Sequence, residues 1–70
     1  MEFSVRKMKQ VLREHTGLRV SKDSAEEFSQ DLEMHGHEVA MKALDFTRAD
    51  GRITVRAEDI RKAINEVDNR

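Results

Sequence analysis

One apolar stripe through the middle of the chain constrains its fold more than any other feature. Between Ala25 and Ala49, apolar or small residues recur at alternating steps of three and four, through Phe28, Leu32, His35 or Gly36, Val39, Ala43 and Phe46. This spacing predicts one amphipathic helix of about 28 residues, roughly 42 Å long at 1.5 Å per residue. Two further short helices cannot cover so long a helix, so part of the stripe must meet another chain.

The composition limits how such a chain is stabilised. It has 70 residues with no Cys, Pro, Trp or Tyr, and 39% of its residues are charged. A chain this short buries only about 60% of the surface that its unfolded form exposes, and no disulfide compensates. We therefore predict a single all-α domain, residues 1–70, that is stabilised by a partner or a metal. The chain has no apolar run near the roughly 20 residues of a membrane span, so we expect a cytoplasmic protein that does not bind membranes.

Glycines and capping residues predict where the three helices begin and end. The first helix is expected from about Ser4 to His15, ended by Thr16 and Gly17. Ser21 is expected to cap the long helix, with a second capping-box match at Ser24 and Glu27. The remaining signals are the left-handed stop expected at Gly51, the start of the last helix near Ala57, fraying of residues 68–70, and short extended pieces at 18–20 and 53–55.

Charge is distributed unevenly along the chain. The net charge is -1, but residues 1–22 carry +4, residues 23–50 carry -6 and residues 51–70 carry +1. The overall value therefore says little about any single face of the protein.

Two sequence motifs resemble archaeal histones. Arg19-Val20-Ser21 followed by Asp23 is similar to their first loop and helix cap. Gly51-Arg52-x-Thr54-x-x-Ala57-Glu58-Asp59-Ile60, followed by Ala63, is similar to their second loop and third helix. The resemblance covers the whole chain and implies the histone fold, which is a short helix, a long helix and a short helix joined by two loops.

This resemblance implies a handshake dimer in which two long helices cross near Gly36. The first loop of one chain would then pair with the second loop of the other, in a homodimer or in a heterodimer with a paralogue. Arg52 and Asp59 would form a pair that fixes the second loop on the third helix. The expected dimer interface comprises Phe28, Leu32, Gly36, Val39, Ala43 and Phe46.

The resemblance also implies a chromosome-associated protein that bends or wraps double-stranded DNA with little sequence preference. Arg19 would enter the minor groove, and Thr54 would support that contact. The remaining residues expected at the DNA supply backbone N–H groups or further polar and cationic contacts: Lys9, Arg13, Val20, Ser21, Lys22, Val55 and Arg56.

Departures from the archaeal histone pattern favour an alternative. Gln10 and Ile53 stand where an Arg and a Lys commonly contact phosphates, and Ala49 stands where a His often joins neighbouring dimers. The glycine of the first loop is displaced to Gly17. The alternative is a histone-fold interaction protein, either a heterodimer partner or an assembly blocker, with weak or no DNA binding. The sequence leaves open whether dimers stack on DNA.

Other kinds of site are not expected. His35 and His37 lie at i and i+2, which do not face the same way on a helix, so no metal site within one chain is predicted. No nucleophile paired with a base, and no glycine-rich phosphate loop, is found in the sequence. We therefore expect neither enzymatic activity nor a cofactor.

Overall fold

The computed structural model describes residues 4–69. These residues form three α-helices, α1 (Val5–Thr16), α2 (Lys22–Ala49) and α3 (Ala57–Asp68), and no strand. The short, long, short order is the predicted one, and α2 has 28 residues. Residues 17–21, here called loop 1, and residues 50–56, here called loop 2, connect the helices. None of the three helices combines the length and apolar character that crossing a bilayer requires.

Helix α1 is closed at both ends by local hydrogen bonds. Ser4 is the N-cap, and its Oγ accepts from the backbone N–H of Lys7 at 3.3 Å. At the other end Gly17 has φ +69°, and its N–H donates to Arg13 O at 2.9 Å. Only glycine enters this left-handed conformation without strain, so α1 ends here. The helix begins and ends one residue later than the sequence predicts.

Helix α2 begins and ends at the predicted signals. Ser21 Oγ accepts from Ser24 N–H at 3.1 Å, so Ser21 caps the helix. Ser24 lies inside the helix, and its hydroxyl is 2.6 Å from that of Ser21. At the C-terminal end Gly51 has φ +69°; its N–H donates to Arg48 O at 2.9 Å, and Arg52 N–H donates to Thr47 O at 3.1 Å. These two bonds form a Schellman motif, which stops the helix.

The chain divides into two compact units, residues 1–34 and residues 35–70, and the boundary falls within α2. In the first unit Met8, Ala25 and Ser29 are buried. In the second unit Val39, Ala43 and Ala63 form a small apolar core, and Ile60 and Val67 pack against it.

Little apolar surface is buried within one chain. The buried hydrophobic residues among positions 4–69 are three alanines, one valine and one methionine, and the largest side chain below 2% exposure is Asp59. The predicted interface residues Phe28, Leu32 and Phe46 are half-buried and Gly36 is exposed, while Met34 is 68% exposed. A single chain thus leaves much of the apolar surface of α2 accessible.

The end of α3 is more ordered than the sequence predicts. Asp68 belongs to the helix, and its Oδ1 lies 2.9 Å from His35 Nε2 on α2. Asn69 donates to Asn65 Oδ1 at 2.8 Å. The prediction of fraying is therefore wrong for Asp68, because a contact 33 residues away in sequence holds it. Arg70 lies outside the described residues.

Candidate nucleic-acid interface

A buried ion pair organises loop 2. Arg52 Nη1 donates to Asp59 Oδ2 at 2.9 Å and Arg52 Nη2 donates to Asp59 Oδ1 at 2.8 Å. The Asp59 side chain is 1% exposed and that of Arg52 is 14% exposed. The guanidinium holds the pKa of Asp59 well below its usual range, and the carboxylate raises the pKa of Arg52. Two parallel bonds of this kind fix orientation as well as distance.

Further hydrogen bonds tie the same pair to both flanking helices. Thr47 Oγ1 on α2 lies 2.9 Å from Asp59 Oδ2, and the N–H of Arg56 donates to the same oxygen at 2.9 Å. Arg52 Nη1 also donates to Thr54 O at 2.9 Å, and Nη2 donates to Asp50 Oδ2 at 2.9 Å. Loop 2 is therefore held along its length by one buried network.

This network leaves the middle of loop 2 facing solvent. Ile53 is 102% exposed and Val55 is 50% exposed. Thr54 and Arg56 are also exposed, and Arg56 has no carboxylate partner within residues 4–69. The Arg56 N–H donates to Asp59, so of this residue it is the side chain that remains for a ligand. Loop 2 thus presents a rigid backbone with a hydroxyl and a guanidinium outward.

Loop 1 presents one cation in front of a capped helix. Arg19 is exposed, and in the described part of the chain its guanidinium has neither an ion-pair nor a hydrogen-bond partner. Leu18 N–H donates to Thr16 Oγ1 at 3.2 Å, which positions the loop just before Arg19. Ser21 is engaged as the cap of α2, and its hydroxyl proton can point outward when Ser24 donates to Ser21. Val20 is half-buried.

The other predicted cations differ in how free they are. Lys22 Nζ lies 4.0 Å from Glu26 Oε1 in an exposed pair, which is worth little in water. Lys9 and Arg13 on α1 have no carboxylate partner within the described residues. Loop 1 and α1 belong to the first unit and loop 2 belongs to the second. Each group of residues is therefore a half-site described on its own.

Thr47 and Asp50 are the parts of the loop 2 network that the sequence did not predict. Thr47 is 3% exposed, and its hydroxyl also lies 2.9 Å from Ala43 O one helical turn before it. The available signal was its position: a β-branched polar residue directly after Phe46 and four residues after Ala43, on the side of α2 that packs against α3.

The structure also brings three carboxylates together. Oxygens of Asp50, Glu58 and Asp59 lie within 4.8 Å of one another. Asp50 and Asp59 both accept from Arg52, whose positive charge already neutralises the cluster. These residues serve the loop rather than forming a metal centre. The histidines of the rejected metal hypothesis are separate from this cluster: His35 contacts Asp68 and His37 lines a groove with Glu38 and Met41.

Comparisons with known proteins agree with this arrangement. A family model described as histone-like transcription factor (CBF/NF-Y) and archaeal histone matches residues 1–64. The chain is also similar to the archaeal histone HAN1 of Thermococcus zilligii, at 38% identity over 63 residues, which cover 90% of this chain and 94% of that protein. With the three helices in the predicted order, these matches confirm the histone fold, for which a handshake dimer is typical. This chain belongs to the family of histone-like transcription factors and archaeal histones.

Proposed function

We propose that this protein is a DNA-packaging histone whose residues 1–70 form one histone-fold domain and whose dimer bends or wraps double-stranded DNA with little sequence preference. Membership of the family implies DNA binding and dimerisation. The homodimer, the wrapping and the chromosomal location belong to the proposal. The relative from Thermococcus zilligii is a histone by name, which supports it.

The observation that carries the proposal is the exposed, unpartnered guanidinium of Arg19 directly before the N-terminus of α2. A free arginine costs nothing to redirect, because no carboxylate has to be released when it binds an anion. Helix N-termini add positive potential, and backbone N–H groups near Val20 and Val55 can donate to phosphates. In the proposed dimer, loop 1 of one chain adjoins loop 2 of the other and brings Arg19 beside Thr54.

The small core of each chain supports the dimer. Phe28, Leu32 and Phe46 remain partly accessible, and Met34 and Met41 are 68% and 52% exposed. Apolar burial is the main favourable contribution to folding, and one chain provides little of it. A second α2 helix packed on this face supplies what one chain lacks.

A second candidate function is favoured by the acidic character of α2. Seven carboxylates lie on this helix against Lys22, Lys42 and Arg48. Five of the seven are exposed and form no ion pair with a cation among the described residues: Asp23, Glu27, Asp31, Glu33 and Asp45. Such a face repels DNA and suits a basic protein partner. In this candidate the protein is a histone-fold interaction protein that pairs with or blocks another histone-fold chain, and DNA contact is incidental.

Titration of a random-sequence duplex at two salt concentrations separates the two candidates. The histone proposal predicts binding that weakens as salt rises, and a several-fold loss of affinity for Arg19→Ala with unchanged dimer stability. Lys22→Ala is the matched control, because Lys22 is also a cation near the start of α2 but is paired with Glu26; its effect should be smaller. Absence of binding at low salt contradicts the histone proposal and favours the interaction protein.

A further inference from the structure

A cationic groove lies along α1. Arg6, Lys9, Gln10 and Arg13 line a shallow groove of about 460 Å³. These positions are i, i+3, i+4 and i+7, so their side chains share one face of the helix. Arg6 and Gln10 had no assigned role in the DNA contact. The groove therefore extends beyond the residues that the sequence assigns.

The three cations of this groove are not neutralised by the described residues. None of them has a carboxylate within ion-pair distance in residues 4–69, and the first turn of α1 contains no acidic residue. Glu14 is the one carboxylate of α1, and it accepts from Gln10 Nε2 at 3.1 Å. Like charges at this spacing destabilise a helix. An anion bound in the groove would relieve that repulsion.

We infer that this groove binds consecutive phosphates of one DNA strand, with Arg6, Lys9 and Arg13 as the cationic contacts and the Gln10 amide as a neutral donor. This inference rests on the proposed histone function. Residues 6 to 13 span roughly 10.5 Å of helix axis at 1.5 Å per residue. One strand of duplex DNA presents a phosphate about every 3.4 Å along its axis, so the groove matches about three phosphates.

The lining of the groove favours DNA over an acidic protein segment. All four lining residues are polar or charged. The centre of a protein interface is depleted in charged residues and contains aromatic or apolar anchors, which this groove does not offer. Arg13 also precedes the exposed Arg19 by six residues in the same compact unit. The groove thus adjoins, along the chain, the loop proposed to contact DNA.

The test compares two variants that remove the same charge. Arg6→Gln with Lys9→Gln removes two groove cations, and Arg48→Gln with Arg61→Gln removes two exposed cations outside the groove and the loops. Binding of the full-length protein to a random-sequence duplex is measured by fluorescence anisotropy across salt concentrations. Each phosphate contact contributes about 0.9 to the slope of log affinity against log salt. We expect the slope to fall by about 1.8 per chain bound for the groove variant only.

Each outcome decides the inference. Equal losses in the two variants mean that the cations act only through net charge, and they overturn it. A groove variant that keeps its DNA slope but loses dimer mass shows that the groove holds a partner chain, which also overturns it. Arg6→Lys with Lys9→Arg should keep the slope, which controls for misfolding. Binding that depends on Arg19 but not on the groove contradicts this inference alone, whereas absence of any DNA binding contradicts the proposed function as well.

Discussion

Arg52 and Asp59 are joined by two hydrogen bonds of 2.9 and 2.8 Å, and the carboxylate is 1% exposed. The pair joins the first residues after α2 to the first turn of α3. Because Arg52 also donates to Thr54 O, the same guanidinium sets the backbone of the residue proposed to support DNA binding. Stability of loop 2 and presentation of Thr54 are thus consequences of one contact.

Replacement of Asp59 by Asn should lower both the melting temperature and DNA affinity. An amide cannot accept both guanidinium bonds, and it leaves the largely buried charge of Arg52 without its partner. Thermal unfolding at fixed protein concentration measures the loss. Asp31→Asn, on the exposed face of α2, is the control and should leave the melting temperature nearly unchanged. Equal melting temperatures for the wild type and Asp59→Asn would contradict this account of loop 2.

The same pair predicts how stability depends on pH. The pKa of folded Asp59 is lowered, mainly by Arg52, so its contribution is fully present above the unfolded value of about 3.9. That contribution is lost as the pH falls from about 4 toward the lower folded pKa. Denaturant unfolding between about pH 5 and pH 2 should therefore show a steeper loss of stability in the wild type than in Asp59→Asn. Parallel curves would show that Asp59 does not titrate as the contacts require.

Thr47→Val should destabilise the protein by about 1 kcal/mol, the typical value of one buried hydrogen bond. The Thr47 hydroxyl is buried against Asp59, while valine has a similar shape and no hydroxyl. Asp59 keeps its bonds to Arg52 and to Arg56 N–H, which limits the loss. Denaturant unfolding gives the value. Thr54→Val, at an exposed position, should not change stability; a comparable loss there would show that the method reports something other than the buried network.

Gly36→Ala tests whether two long helices approach closely at this position. Within one chain nothing lies within 4 Å of a Cβ added at Gly36, and alanine would improve helix propensity by about 1 kcal/mol. If a second α2 crosses here, the added methyl overpacks the contact and should instead destabilise the dimer by about 1 to 3 kcal/mol. Unfolding at several protein concentrations distinguishes the two. A stabilised variant would place the crossing elsewhere.

Ile53→Lys should strengthen DNA binding. Ile53 is fully exposed on the rigid loop 2 beside Thr54, so a lysine there would reach a phosphate of DNA bound to that loop. The slope of log affinity against log salt should increase by about 0.9 for each added phosphate contact. Gln30→Lys adds the same charge on the exposed face of α2 and should increase the slope less. Equal effects of the two variants would mean that loop 2 does not face DNA.

The helices could be predicted from the sequence because their ends depend on single residues. Gly17 and Gly51 both adopt φ +69°, and Ser21 caps α2 through its own hydroxyl. Such signals act over about three to five residues and therefore do not require the tertiary structure. The Arg52 and Asp59 contact was implied by the resemblance to archaeal histones rather than by spacing.

Contacts between distant residues could not be predicted in the same way. Thr47 meets Asp59 across 12 residues and His35 meets Asp68 across 33, and both depend on how α3 lies on the second half of α2. The groove on α1 was also missed, because Arg6 and Lys9 gain significance from a shared surface and from the engagement of Glu14 by Gln10. Helical periodicity places residues on a face, but it does not show which charges remain unpaired.

Sedimentation velocity with and without a duplex of about 60 base pairs tests the account most directly. At micromolar concentration we expect a species of twice the 8.1 kDa chain mass, and we expect protein and duplex to sediment together at low salt. A folded species with the mass of one chain, or protein and duplex that sediment independently at low salt, would contradict the proposed dimeric histone.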